Sequence, residues 1–292
     1  MGMLSDVWPT RAGWRRWGSD SVARLLGRRR GGRSRRRPRG SAAAQRSLVE
    51  RELERLGRPE LAAALAALPA HAVVARTPVS LAAHLVLAAE PLADGQVRTR
   101  VRDGEHPGVA ELLVVARDRP GLLATMAAVL ALRGVSILAA DAATRADGLA
   151  FDAFEVVAPP DGWAGVAADL AEALSGRRAI EEWLSQVEPP PVAGAAAPRV
   201  TIDNGRSPDY SVVDVRGPDR LGLLYHIARG LFDLGLDIQS AEIETRASGV
   251  VDTFQVRALD GGARLDDARA ADVARALEER LAAGAATRTD AR

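Results

Sequence analysis

Neither cysteine nor lysine occurs anywhere in the 292 residues. Without Cys there is no disulfide framework, no thiolate nucleophile and no thiolate metal site. Without Lys, all 39 basic side chains are Arg, which alongside the abundant Ala reads as a biased coding composition rather than a functional choice. Aromatic residues make up only 4% of the chain, so aliphatic side chains must fill any core. No uninterrupted apolar run is long enough to span a bilayer. Trp8, Trp14 and Trp17 stand among Arg residues, without the continuous apolar stretch of a secretory signal. A soluble, cytoplasmic protein with no membrane partner is the expectation.

Hydrophobic residues account for 47% of the chain, enough for the cores of two modest domains plus an extension. The net charge of +1 conceals an asymmetry: residues 1–58 hold 16 Arg against five acids, so the rest of the chain is acidic. Residues 1–45 are dominated by the run from Arg28 to Gly40. So many like charges among Gly, Ser and Pro cannot bury enough apolar surface to offset the entropy of ordering, and a disordered basic arm is expected. Arg-rich segments interleaved with aromatics can also grip RNA phosphates or rest on an anionic membrane surface. A nucleic-acid role is therefore confined to residues 11–39, as an RNA-binding tether; the plainer reading is a solvated leader.

Residues 46–105 form a helical lead-in. Leu48, Leu53, Leu56, Leu61, Leu65 and Leu68 are spaced for helix, Gly57-Arg58-Pro59 breaks the pattern, and Pro69 ends it. Thr77-Pro78 then reads as an N-cap with proline at the first helical position, opening an apolar helix that carries His84. No second ligand or partner stands at metal or catalytic spacing beside His84, so a packed or partly exposed helix histidine is the reading.

The rest of the chain is a duplication. Asp118-Arg119-Pro120-Gly121-Leu122-Leu123, Gly134-Val135-Ser136-Ile137 and Thr144-Arg145 return 101 residues later as Asp219-Arg220-Leu221-Gly222-Leu223-Leu224, Gly235-Leu236-Asp237-Ile238 and Thr245-Arg246. Each copy reads strand, turn, amphipathic helix, hairpin, helix. In the first, Leu112–Ala116 is the strand, Leu122 to Leu130 one apolar helix face, and Ala146-Asp147-Gly148 the hairpin turn. Val200-Thr201-Ile202 could close the first sheet, giving a β-α-β-β-α-β order. The second copy then lacks a last strand, and must stay three-stranded or borrow one. Asp152 and Asp252 interrupt the apolar strand face at the same place in both copies.

The repeated turn sits between a strand and the first turn of a helix. Helix N-termini leave backbone N–H groups unpaired and carry partial positive charge, which suits a carboxylate or phosphate. Gly121 and Gly222 would let a ligand approach the backbone, while Asp118 and Asp219 offer carboxylates to an ammonium group. A zwitterionic amino acid fits both charges. The alternative is that Asp only caps the helix and Gly only turns the chain.

The pattern Asp-Arg-Pro-Gly-Leu-Leu, helix, Gly-x-x-Ile, Thr-Arg, hairpin and Asp-x-Phe resembles the ACT domain, a small ferredoxin-like regulatory module that in many relatives binds amino acids. More narrowly, the pair is similar to the C-terminal regulatory tail of the bifunctional uridylyltransferase/uridylyl-removing enzymes that modify the PII signal protein. The stretches that carry this are Asp147–Phe154, Val200–Asn204, Pro218–Tyr225 and Val251–Phe254. The resemblance covers roughly residues 70–285. It implies an α+β fold: two ferredoxin-like domains in tandem, at 109–203 and 208–285, preceded by short helices and the basic arm. It also implies a glutamine-sensing role in nitrogen regulation and ligand-binding residues Asp118, Arg119, Gly121, Leu122, Leu123, Asp219, Arg220, Gly222, Leu223 and Leu224. Catalytic domains or PII are the implied partners, and a homodimer through the ACT sheets is a further implication.

The departures bear on activity. Full-length family members carry a nucleotidyltransferase site that needs Asp-x-Asp after a Gly-Ser, and a hydrolase site that needs His-Asp. Gly18-Ser19 is present, but the sequence has no Asp-x-Asp, and none of His71, His84, His106 and His226 precedes Asp. No catalytic residue, metal ligand or cofactor is therefore assigned, and a regulatory module is expected rather than an enzyme. An active or split uridylyltransferase is the alternative. In the second turn Leu221 replaces Pro120, so that turn is less preset.

Overall fold

In a computed structural model, the described residues are 41–104, 106–159, 162–176, 180, 198–246 and 249–286. The Arg-rich arm expected at 1–45 lies outside them as far as residue 40, as does most of 189–198, a Pro- and Ala-rich stretch between the two repeats. Ser41 already caps the first helix, accepting from the Ala44 amide, so helix begins at Ala42, inside the segment expected as arm.

Four helices lead in. They are α1 (Ala42–Arg55), a 3-10 turn followed by α2 (Ala62–Leu65), α3 (Ala70–Ala75) and α4 (Pro78–Leu87). The Thr77 side chain accepts from Ser80 N–H and Pro78 occupies the first turn, as the sequence predicts for α4. There follow β1 (Val97–Asp103), β2 (Val109–Arg117), α5 (Leu122–Leu132), β3 (Ile137–Ala143), β4 (Leu149–Val157) and α6 (Trp163–Leu174). The second repeat supplies β5 (Arg199–Asp203), β6 (Ser211–Gly217), α7 (Leu223–Asp233), β7 (Leu236–Arg246), β8 (Gly249–Ala258) and α8 (Asp267–Ala286).

All eight strands form one antiparallel sheet in the order β1-β2-β4-β3-β7-β8-β6-β5. Val200–Ile202 does not close the first repeat. It lies in β5, at the far edge of the second repeat, paired with β6 so that Arg199 faces Arg216 and Thr201 faces Asp214. The first repeat's edge is β1, inside the stretch expected as helical lead-in, where Arg98 pairs Val115 and Arg100 pairs Leu113. Each repeat is therefore the ferredoxin-like sheet with its edge strand entering before the first βα unit instead of after the last helix. The physical cause is visible in the residues. Val97-Arg98-Thr99-Arg100-Val101-Arg102 alternates with a period of two, and no helix face can be drawn through it.

The two repeats join through β3 and β7, whose register sets Ala140 against Ile243, Asp141 against Glu242 and Ala142 against Ala241. Register shifts fall between Ile137 and Ala139 in one repeat and between Ile238 and Ser240 in the other, so even the irregularities were duplicated. Helices α5 and α7 pack on each other across this seam, flanked by α6 and α8, and share a single apolar core with the sheet.

The other face differs between repeats. Over the first, α1 to α4 cover the strands with a second core in which Val49, Leu53, Leu81 and Leu85 meet Val115, Leu149 and Phe151. Every residue of β4 is buried, whereas β8 alternates buried and half-buried along its length. A strand covered on both faces reads as a continuous apolar run, and one covered on a single face alternates. Phe151 and Ala153 accordingly stand where the second repeat has Val251 and Thr253.

His84 is fully buried and holds this cover down. Its ring stacks on Phe151 at 4.4 Å between centroids. Arg76 Nη1 donates to His84 Nδ1 at 2.8 Å, which leaves Nε2–H to donate to the Val114 carbonyl at 3.0 Å. The same Arg76 also donates to the carbonyls of Asp141 and Phe151.

Candidate ligand-binding site

Both repeated turns break the strand with a left-handed glycine that opens the following helix: Gly121 at φ 80° and Gly222 at φ 79°. A Cβ on Gly121 would stand 3.6 Å from the Phe232 ring, and one on Gly222 3.6 Å from the Ala131 Cβ. These are ordinary contacts, so the backbone angle rather than space demands glycine here.

No side chain caps either helix. After Leu122 N–H, which reaches Arg119 O, the amides of Leu123 and Ala124 take no partner among the described residues before Thr125 bonds Gly121 O. Asp118 is not a cap: its Oδ2 accepts from Thr144 Oγ1 at 2.5 Å. In the second repeat the corresponding hydroxyl, Thr245 Oγ1, donates instead to Ile137 O of the first repeat at 3.1 Å. The Asp219 carboxyl lies near the Arg220 amide.

Each turn opens on a pocket whose opposite wall belongs to the other repeat. The first, with about 430 Å³ of empty space including its mouth, runs from Asp118, Gly121 and Leu123 past Thr144 and Asp152 to Ala228, Phe232, Asp237 and Gln239. The second, at about 460 Å³, runs from Asp219, Gly222 and Leu224 past Thr245 and Asp252 to Ala127, Ala131 and Ser136. The remaining sequence-predicted residues line the same two spaces: Arg119 and Leu122 the first, Arg220 and Leu223 the second. The leucines are buried at the helix starts. Arg119 is exposed, and Arg220 Nη2 turns to Leu281 O at 3.2 Å.

The titratable groups deep in the pockets are Asp152, 4% exposed, and Asp252, 1% exposed. In β3 and β7 the pairing towards the hairpin partner lapses after Asp141 and Glu242 and resumes at Thr144 and Thr245. The Ala143 amide lies near the Asp152 carboxyl and the Glu244 amide near that of Asp252, at equivalent places in this gap. Burial, countered by Arg76, pushes Asp152 up to about 7. Burial and then the nearby Asp219 push Asp252 up to about 8, against the Glu244 amide. At the first mouth, burial and the facing Asp118 raise Asp237, with Gln239 Nε2 donating back to it at 2.6 Å. Asp219 is raised by the protein around it, but its exposure at the turn keeps water within reach and limits that push. Among the described residues no His, Asp and Glu cluster could hold a metal ion.

Sequence reasoning had placed Asp152 and Asp252 on the apolar strand face without reading them as site residues, although a repeated acid at a core position was the signal. The opposing walls were not foreseen. Phe232, Asp237 and Ser136 reach the site only through the β3–β7 pairing, which no spacing within one repeat encodes.

Residues 110–162, from β2 to the threshold of α6, match the family model of the ACT domain. The chain is similar to the bifunctional uridylyltransferase/uridylyl-removing enzymes of Rhodospirillum rubrum and Caulobacter vibrioides. The identities are 33% over 194 residues, covering 62% of this chain and 21% of that enzyme, and 36% over 212 residues, covering 67% and 22%. The enzyme of Gluconobacter oxydans is 35% identical over 176 residues, 56% of this chain and 18% of its own. The chain thus spans about a fifth of the length of the curated relatives it matches, and resembles their C-terminal region. Among solved structures, an aspartate kinase from Synechocystis aligns over 61% of this chain and 40% of its own at 16% identity with a TM-score of 0.21, too slight a likeness to bear on the site.

Proposed function

We propose that the chain is a regulatory module that senses a free amino acid, glutamine, and passes that state to catalytic machinery acting on the PII signal protein in the cytoplasm. One observation carries the reading. Each repeat sets a left-handed glycine and an uncapped helix start opposite buried carboxyls, in a pocket closed by the other repeat. The helix start suits the ligand's carboxylate, and the aspartates suit its ammonium group. The ACT match and the named relatives support the regulatory role and the nitrogen connection. The Asp118–Leu123 and Asp219–Leu224 turns are the binding residues in this reading, joined by Asp152 and Asp252.

The test is titration calorimetry of the full chain with glutamine against a panel of other amino acids. Glutamine is expected to bind, and most tightly. Heat only with another amino acid would retain sensing and remove glutamine; no heat with any would remove the reading altogether.

A further inference from the structure

Asp252 differs from its twin in one atom. Asp252 Oδ1 is buried and has no hydrogen-bond partner among the described residues, in a side chain that lines the second pocket. Asp152 carries no such orphan atom. A buried polar atom without a partner costs stability and asks for an explanation, and a part in holding a ligand is one.

The facing walls sharpen the difference. Where the first pocket receives Asp237 from the other repeat, the second receives Ser136, and where the first has Phe232 the second has Ala131. In the second pocket Thr245 has turned its hydroxyl to Ile137 O, so no hydroxyl bonds Asp219 as Thr144 bonds Asp118. Asp219 thus keeps the acceptor capacity that Asp118 spends on Thr144.

We propose that Asp252 Oδ1 is the seat of the ligand's ammonium group in the second pocket, so that this pocket, more than the first, distinguishes an amino acid from the same acid without its amino group. The inference rests on the amino-acid reading above and assigns one atom of the site.

The titratable groups lining the pocket with Asp252 are Asp219 and Arg220 on the turn and Tyr225 on α7; Ser136 across the seam brings no charge. Arg220 is engaged with Leu281 O. The Glu244 amide lies near Asp252, but Glu244 stands one residue out of step with Ile243 and so carries its side chain to the other sheet face. No lining cation other than Arg220 competes for Oδ1. Burial pushes the Asp252 carboxyl up to about 8, so the empty pocket holds it largely protonated at neutral pH. An arriving ammonium group favours the ionised form, and the carboxyl proton leaves to the buffer as the ammonium–carboxylate pair forms.

The experiment is calorimetry of the full chain with glutamine, asparagine and serine, each beside its counterpart without the amino group: glutaramic, succinamic and 3-hydroxypropanoic acid. Titrations run at pH 7 in two buffers of different ionisation enthalpy, on the parent chain, Asp252→Asn and Asp272→Asn. The expected result is an amino acid phase that the deaminated acid lacks, whose heat depends on buffer because up to about one proton is released. Asp252→Asn should weaken that phase at least tenfold and abolish its buffer dependence, while Asp272→Asn, an exposed carboxylate on α8 outside both pockets, leaves it in place. If Asp252→Asn binds the amino acid with unchanged affinity and buffer dependence, the inference falls and the sensing role stands. If the parent chain binds the deaminated acids as tightly as the amino acids, the inference falls without reference to any variant. If nothing on the panel binds, both fall.

Discussion

Asp141 lies directly opposite Glu242, its own counterpart in the second repeat, in the antiparallel pairing of β3 with β7. In a duplicated chain, an antiparallel pair in which a residue meets its own copy marks the local two-fold axis. The neighbours obey it: Ala140 pairs Ile243, and Ala142 pairs Ala241. The shared walls of the two pockets follow from the position of this axis, which carries each repeated turn to the wall of the other repeat.

The turn glycines are held by backbone angle. Gly121→Ala is expected to cost about 1–2 kcal/mol, the penalty of a side chain in the left-handed region, and Gly121→Asn less, since Asn tolerates that region. Urea unfolding of the three proteins checks this. An alanine variant as stable as the parent would mean that the turn relaxes and φ is not the constraint.

Buried titratable groups should give stability two opposed pH slopes. Asp252 and Asp152 have folded values pushed up to about 8 and about 7 from the ordinary 3.8, so the folded state holds more protons than the unfolded between those limits. Their contribution is whole below about 4 and is lost as pH rises through 7 to 8. Asp252→Asn should therefore raise the thermal midpoint at pH 8, by a stability gain on the order of 2–4 kcal/mol, and change little near pH 4. Equal effects at both pH values would show that burial does not govern this carboxyl.

His84 works the other way. Burial, and then the neighbouring Arg76, hold the ring well below its ordinary 6.5. The unfolded state takes up a proton that the folded state refuses, so the contribution of neutral His84 is present above about 6.5 and is lost as pH falls below it. His84→Gln should flatten stability between pH 6.5 and 5 relative to the parent, measured as denaturation midpoints in that window. A parent-like slope in the variant would assign the acid sensitivity elsewhere.

Arg76 is expected to be the costliest single loss in the lead-in. Arg76→Met removes the guanidinium bonds to the carbonyls of Asp141 and Phe151 and to the Nδ1 of His84, for about 2–4 kcal/mol. Hydrogen exchange should show the amides of α4 opening first. Loss spread evenly over α4 and α8 would argue that the clamp does not act locally.

The edge strand can be tested directly. Val200 N–H donates to Glu278 Oε1 at 2.7 Å, and its residue pairs Val215. Val200→Pro removes that bond and disturbs the strand, so amides of β6 should exchange faster while those of β2 keep their protection. Faster exchange in β2 instead would return Val200 to the first repeat.

Much of this fold was readable because the duplication supplied each element twice. Strand, glycine turn, apolar helix and hairpin are local patterns, and Asp118–Leu123 and Asp219–Leu224 fell where those patterns placed them. The edge strands were misassigned although the repeat extends to them: Arg98, Val101 and Gly104 answer Arg199, Ile202 and Gly205. The misassignment came from treating position along the chain as position in the sheet, and β5 follows the first repeat in sequence while serving the second. The helical cover was also written in the residues, since Leu113, Val115, Phe151 and Ala153 stand where the second repeat has Asp214, Arg216, Val251 and Thr253. A strand that loses its polar alternation in only one copy has gained a neighbour. The shared pockets were not readable, because they belong to the pairing of two elements more than a hundred residues apart.

The β3–β7 seam also says something about ancestry. A lone repeat would have met a second copy of itself along this strand, each lending the other a pocket wall, and the two cavities would have been identical by symmetry. Fusion into one polypeptide freed them to diverge. Phe232 against Ala131 and Asp237 against Ser136 are departures in residue type that a dimer of one sequence cannot hold, because both its halves carry the same side chains.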